Sequence, residues 1–198
     1  MLSLTEELTQ SIAYQGREYP IDLSYDNVLR FYQLLDDADF DEGEKIIAAF
    51  HIFFDEEVPD DPEFLMNVVK LLGEYVSDSP YGGDTANSQD DQAPIRYFSF
   101  QQDAPAIYAS FMEQYGIDLI EEQGKLHWDK FKALLDGLGP DTQFRRIVAI
   151  RQRTTDGLEG EELAALMEQQ QYYRLTDGAS VDAQTQRTDA MLDALFKK

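Results

Sequence analysis

Apolar side chains recur at intervals of three and four residues along most of this chain, and this spacing limits what the chain can fold into. The first such stretch is apolar at five positions, Val28, Leu29, Phe31, Tyr32 and Leu35. Because an α-helix has about 3.6 residues per turn, this spacing places the five side chains on one face of a helix. The pattern predicts a helix that begins at Ser24 or Asp26, since both residue types are good helix caps.

The same spacing continues in later segments, which are separated by residues that start or stop helices. Asp61 followed by Pro62 is typical of a helix start, and Gly116 is typical of a helix end. Asp103 is the expected cap of one further helix. Helices are predicted at residues 41–54, 62–76, 103–115, 126–138, 141–153, 158–174 and 181–196.

One short stretch follows a different period. Residues 11–23 contain two runs of alternating apolar and polar side chains on either side of Gln15-Gly16-Arg17. Alternation is the pattern of a β-strand, and Gly16 supplies the backbone freedom that a tight turn requires. The predicted fold class is therefore mainly α, a helical single domain with a small N-terminal β-hairpin.

Composition divides the chain into four segments. Residues 77–94 are rich in Ser, Gly, Asp and Pro and have no apolar period, which predicts a flexible linker or loop. Residues 1–76, which precede this linker, would form the N-terminal hairpin and the acidic helices. Residues 95–176 would form a helical core packed with 1–76, and residues 177–198 a C-terminal helix.

The chain carries a large negative charge, with 39 acidic and 16 basic residues and a formal net charge of -23. Residues 1–80 hold 19 acidic and 4 basic side chains, so the N-terminal part is the more acidic. Such a field repels phosphate backbones and anionic lipids, so the protein is expected to bind neither nucleic acid nor membranes. Two explanations of the charge remain open, solubility alone and the docking of a basic partner.

The location of the protein is indicated by what its sequence lacks. There is no cysteine, and the N-terminus has no cationic region followed by a long apolar stretch. No run approaches the ~20 apolar residues that cross a bilayer. The protein is therefore expected to stay in the cytoplasm.

Motifs for catalysis and for metal binding are weak. Residues 36–43 suggest a calcium loop, but Glu42 stands where the loop needs glycine and Ala48 where it needs a bidentate Glu. The two histidines, His51 and His127, are too far apart in sequence for a common zinc motif. His127 is the only candidate for acid/base work, and a structural hydrogen bond is the favoured interpretation. No enzyme activity, metal or cofactor is expected.

Four arginines form a basic cluster within the acidic background, at Arg145, Arg146, Arg151 and Arg153. On a helix these four side chains do not share one face. Two interpretations remain open, internal ion pairs and a protein docking site.

A longer pattern appears in residues 98–151. It consists of Phe98-x-Phe100, Asp103, Ile107-Tyr108-Ala109-x-Phe111, Tyr115-Gly116-Ile117-Asp118-Leu119, Leu126-His127-Trp128-x-x-Phe131-x-Ala133-Leu134-Leu135-x-Gly137-Leu138, Ile147 and Arg151. This pattern resembles the bacteriophage Gp15 family, found in siphophages and prophages of Gram-positive bacteria. Asp129 departs from the family pattern, because similar sequences often carry a second aromatic residue after Trp128.

The resemblance implies a tail assembly chaperone that binds the tape measure protein while the tail tube polymerises. The major tail protein and a companion tail chaperone are further candidate partners. The resemblance also implies action in the host cell cytoplasm and absence from the mature virion. The motif residues expected to be structural are Tyr115, Gly116, Asp118, His127, Trp128, Phe131 and Arg151.

Sparsely spaced apolar residues near the C-terminus are candidates for partner binding. They are Tyr172, Tyr173, Met191, Leu192 and Phe196. The competing interpretation is ordinary packing of these side chains onto the body of the protein. The competing function is an acidic DNA mimic, or another phage protein, that inhibits a host protein.

Overall fold

The computed structural model describes residues 2–77 and 97–176. Within these residues the chain forms one two-stranded antiparallel hairpin and seven helices, so the predicted fold class is confirmed as mainly α with a small N-terminal hairpin. The helices are α1 Tyr25–Asp36, α2 Glu42–Phe53, α3 Pro62–Ser77, α4 Ala104–Tyr115, α5 Trp128–Asp136, α6 Gln143–Gln152 and α7 Gly160–Tyr172. The linker predicted after Ser77 and the helix predicted at 181–196 lie outside the described residues.

The chain divides into two compact units. In the described part, unit 1 contains residues 2–77 and 122–133, and unit 2 contains residues 97–121 and 134–176. The division therefore falls inside α5, at a point that no composition change marks in the sequence. The expected packing of 95–176 against 1–76 stays a prediction.

The hairpin pairs β1, Ser11–Tyr14, with β2, Arg17–Pro20. Two residues connect the strands, and both have positive φ angles, 49° at Gln15 and 81° at Gly16. Positive φ at both central positions defines the turn whose twist matches that of paired strands. The predicted hairpin and the role of Gly16 are confirmed.

Aromatic rings hold the hairpin against the helices of unit 1. The rings of Tyr14 and Tyr19 each lie 4.5 Å from the ring of Phe64 in α3. Phe64 in turn contacts Phe50 of α2, which stacks on Phe54 at 4.5 Å. Full burial of a Phe side chain contributes roughly 1.5–3 kcal/mol, so the buried rings of Phe50, Phe54 and Phe64 stabilise the unit.

The helix starts use different solutions. Asp41 caps α2 in a complete capping box, in which its side chain accepts the Glu44 N–H and the Glu44 carboxylate accepts the Asp41 N–H. Asp61 accepts the Phe64 N–H at the start of α3, as predicted. Ser24 stands at the cap position of α1, but its side chain makes no capping hydrogen bond.

The prediction that Asp103 caps a helix was wrong in one respect. Asp103 occupies the residue before α4, but its side chain makes no capping hydrogen bond there, because it is engaged elsewhere in unit 2. Gly116 ends α4 in the left-handed conformation with φ 66°, as predicted. Helix α5 begins at Trp128, two residues later than the apolar spacing predicts.

The core of unit 2 lies between α4 and α6. Ser110 of α4 is fully buried, and its hydroxyl donates to the Ala106 carbonyl and accepts the Phe144 N–H at the start of α6. This serine therefore satisfies one of the free N–H groups that every helix start presents. Phe111 and Phe144 are buried beside it. Helix α7 buries only Leu166, so most of its surface is left uncovered by the described residues.

Candidate protein-binding site

The described residues contain no group of three or more histidine or carboxylate side chains positioned to hold a metal ion. Within the same ranges, no helix is both long and apolar enough to cross a membrane.

His127 connects two segments of unit 1. Its Nδ1 accepts the Asp129 N–H at 3.1 Å, and its Nε2 lies 3.3 Å from the Thr9 carbonyl. Since Nδ1 accepts, the proton of the neutral ring is on Nε2 and is donated to Thr9. Because His127 accepts the Asp129 N–H in this way, it caps the start of α5, and the helix begins at Trp128 rather than at Leu126. Burial lowers the pKa of His127, partly offset by the Thr9 hydrogen bond.

The aromatic motif residues form the centre of unit 1. Trp128 is only 2% exposed, its ring stacks on Phe131 at 5.6 Å, and its Nε1 lies 3.3 Å from the Val76 carbonyl. Phe131 stacks on Tyr25 of α1 at 4.8 Å. A buried indole N–H needs an acceptor, and the end of α3 supplies one.

Asp129, the residue that departs from the family pattern, has a defined environment. It is buried, accepts a hydrogen bond of 2.6 Å from the Tyr75 hydroxyl, and lies 3.4 Å from the Lys132 ammonium. Burial raises the pKa of Asp129, but the Tyr75 hydrogen bond and the Lys132 charge outweigh burial, so its pKa is lowered overall. The carboxylate is therefore stabilised in its charged form.

The motif residues after α4 organise a loop in unit 2. The Tyr115 hydroxyl donates to the Leu134 carbonyl at 2.9 Å. Asp118 accepts the Ile120 N–H and the Tyr108 hydroxyl on its two carboxylate oxygens. The hydrogen bond to Asp118 raises the pKa of Tyr108, and desolvation adds to that rise.

Arg151 connects three segments of unit 2. Its guanidinium forms a bidentate pair with Asp103 at 2.6 and 2.8 Å, and both side chains are less than a tenth exposed. It also donates to the Tyr97 and Tyr173 carbonyls. Planar, bidentate geometry makes this the strong kind of ion pair.

The remaining arginines of the basic cluster differ in their contacts. Arg145 donates to the backbone carbonyls of Leu138 and Asp136. Arg146 is exposed, and neither Arg146 nor Arg153 forms an ion pair with any residue in 2–77 or 97–176. The predicted internal ion pair is thus present at Arg151, while the docking interpretation stays open for Arg146.

A groove of about 570 Å³ lies between α6 and α7 in unit 2. One face of α6 lines it at spacings of three and four residues, with Gln143, Arg146, Ile147 and Ile150. The other wall is the last part of α7, with Glu168, Gln169, Tyr172 and Tyr173. The structure therefore brings Tyr172 and Tyr173 together in one groove.

The residues that line the groove differ in their exposure. Ile147 is buried and Ile150 is half-buried, whereas Tyr172 is 79% exposed with its ring 4.8 Å from the ring of Tyr173. Met167 of α7 is exposed as well. The other predicted partner-binding residues, Met191, Leu192 and Phe196, lie outside the described residues.

Arg146 belongs to the basic cluster that the sequence offers as a candidate docking site, whereas Ile147, Ile150 and Glu168 were not predicted as site residues. The spacing 143, 146, 147 and 150 marks one helix face in the sequence, and this signal was available. Whether that face packs inward or lines a groove depends on where α7 lies, which helix periodicity does not indicate.

These features define a mainly helical protein of two compact units, with a groove in unit 2 and no metal cluster among the described residues. The chain belongs to the Bacteriophage Gp15 protein family, whose sequence pattern matches residues 4–175. The resemblance is therefore confirmed, and the chain is a phage protein. No curated protein and no solved structure matches it.

Proposed function

We propose that this protein is a tail assembly chaperone that binds the tape measure protein of its phage while the tail is assembled. Membership of the phage family supports this role. The observation that carries the proposal is the groove between α6 and α7, because it groups Ile147, Ile150 and the exposed Tyr172 at the surface, and grouped apolar residues are typical of a protein-binding site.

The physical basis is the protection of amphipathic helices. A tape measure protein is a long helical chain, and its apolar faces associate with one another unless another protein covers them. A groove between two helices accepts an amphipathic helix through its apolar face. Tyrosine suits such a groove, since it offers a large contact area and loses little conformational entropy on binding.

The proposal includes further partners and a location. The major tail protein or a companion tail chaperone would bind during the same assembly step, in the host cell cytoplasm. The protein would act without catalysis and without nucleic acid. The net charge of -23 supports the absence of nucleic acid. The engagement of both His127 ring nitrogens by backbone groups supports the absence of catalysis.

Co-expression with the tape measure protein from the same phage tests the proposal. The tape measure protein is expected to become soluble and to co-purify with the wild-type chain. Tyr172→Ser is expected to reduce its recovery about tenfold, the size of a hot-spot aromatic loss. Leu71→Ser is the matched control, because Leu71 is also an exposed apolar helix residue but lies in unit 1.

A tape measure protein that precipitates in the presence of the wild-type chain would remove the chaperone role. The acidic DNA mimic would then be the better explanation of the charge in residues 1–80. A pull-down from host lysate would test it, and a captured DNA-binding protein that added DNA releases would support that alternative.

A further inference from the structure

The two walls of the α6/α7 groove carry opposite charges. Arg146 lies on the α6 wall and Glu168 on the α7 wall, and both side chains are exposed. Neither is paired with any residue in the described ranges. A cation on one wall and a carboxylate on the other give the groove a positive side and a negative side.

The apolar part of the groove is small, because two isoleucines and two tyrosines supply it. Ile147 and Ile150 form it from α6, and the Tyr172 and Tyr173 rings close one side. Gln143 and Gln169 also line the groove, and their amides can donate and accept hydrogen bonds. A suitable occupant therefore has one narrow apolar strip bordered by polar side chains, which is the surface of an amphipathic helix.

We propose that the α6/α7 groove binds a helical segment that has a narrow apolar strip, carboxylates along one flank and Lys or Arg along the other. The carboxylate flank lies beside Arg146, and the cationic flank lies beside Glu168. This inference rests on the proposed function, and it names the chemistry by which a partner segment is selected.

Opposite charges on the two walls also set the direction of the bound helix. Turning a helix end to end in a groove exchanges its two flanks, so a two-sided charge pattern matches the groove in one direction only. Charges at an interface rim act mainly on orientation and on the rejection of wrong partners. A chaperone with this groove would hold successive segments of a long partner in one common direction.

Two designed helical peptides of identical composition provide the probes. In the first, Glu residues follow one flank of a Leu strip and Lys residues follow the other. In the second, Glu and Lys alternate on both flanks. Fluorescence anisotropy with labelled peptides and the full chain is expected to show that the first peptide binds about tenfold more tightly than the second.

Charge reversal in the groove makes the test specific. Arg146→Glu and Glu168→Arg are each expected to weaken binding of the two-sided peptide about five- to tenfold. The double variant is expected to restore it to within about threefold, because the peptide then binds in the reverse direction. Arg153→Glu and Glu57→Arg are the matched controls, since both residues are exposed and lie outside the groove.

Several outcomes would overturn the inference. Single reversals that leave peptide affinity unchanged, or a double variant as weak as the singles, would show that the charges do not select the occupant. A free wild-type dimer that Arg146→Glu dissociates would assign the groove to a second copy of this chain. A peptide that binds only after removal of residues 181–198 would assign the groove to the chain's own C-terminal segment.

The two proposals fail in different ways. If the tape measure protein co-purifies equally with the wild-type chain and with both single reversals, the chaperone role stands and the charge selection falls. If the peptides and variants behave as expected but the tape measure protein is never bound, the groove selects a helix of another partner and the proposed function falls.

Discussion

Single residues in this protein hold segments together that are far apart in the sequence. Arg151 does so in unit 2, where its guanidinium reaches Asp103 and the carbonyls of Tyr97 and Tyr173. In unit 1, His127 joins the start of α5 to Thr9. The family pattern in the sequence contains both residues and implies that both are structural. A hydrogen bond was expected at His127 and an internal ion pair was one interpretation of Arg151, but the sequence named no partner for either.

Removal of the Arg151 side chain tests the importance of the buried ion pair. Arg151→Met leaves the Asp103 carboxylate buried without its counter-charge, and the unfolding free energy is expected to fall by about 3–5 kcal/mol. Urea denaturation measures this fall. The double variant with Asp103→Asn should recover part of the loss, and Arg153→Met should change little. A loss below about 1 kcal/mol for Arg151→Met would contradict this account.

The pH dependence of stability tests the His127 cap. Burial holds the pKa of folded His127 below its ordinary value of 6.5, so the unfolded chain binds the proton more readily. His127 therefore contributes stability that is complete above pH 6.5 and is lost as pH falls through the lowered pKa. Protonation of Nδ1 also removes the acceptor of the Asp129 N–H.

Urea titrations between pH 8 and 5.5 measure this contribution. The unfolding free energy of the wild-type chain is expected to decrease over that range. His127→Asn should show a smaller decrease, because asparagine also caps a helix but does not titrate. The exposed His51 supplies the control variant His51→Asn, and an equal effect of both variants would rule out the cap as the cause. Asp129 has a lowered pKa, so its contribution is lost only in more acidic solution.

At the scale of the element, the free N–H and carbonyl groups at helix ends are satisfied partly by neighbouring residues and partly by tertiary contacts. The capping box of α2 is readable from the sequence, since Asp41 and Glu44 have the required spacing. The start of α6 uses Ser110 of another helix, which no local pattern indicates. Helix α7 is similarly tied to the end of α6 by the Gln170 side chain, which donates to the Ile150 and Arg153 carbonyls.

Two caps of different quality allow a direct comparison. Asp41→Ala removes a side chain that accepts an N–H, and the unfolding free energy is expected to fall by about 1 kcal/mol. Ser24→Ala should change it by less than about 0.5 kcal/mol, because the buried Ser24 hydroxyl has no hydrogen-bond partner in the described part of the chain. Thermal and urea unfolding of both variants measure the difference, and equal losses would contradict the assigned contacts.

At the scale of the whole molecule, the net charge of -23 opposes the compact state. Added salt reduces the Debye length from about 30 Å at 0.01 M to about 10 Å at 0.1 M, which screens repulsion between distant carboxylates. The unfolding free energy in urea is therefore expected to rise over this range of NaCl. A variant with Asp55→Asn, Glu57→Gln and Asp60→Asn should show a smaller rise. A fall with added salt would mean that ion pairs outweigh the repulsion.

The sequence by itself determined the fold class, the hairpin with its glycine turn and most helix boundaries, because these depend on spacing and on residues that act locally. It also determined the family, and it nominated Tyr172 and Tyr173 as candidates for partner binding. The tertiary structure decided that residues 122–133 belong to unit 1, that Asp103 pairs with Arg151, and that α6 and α7 enclose a groove. The reason is physical, since each of these features joins residues distant in the chain, and periodicity describes one helix at a time.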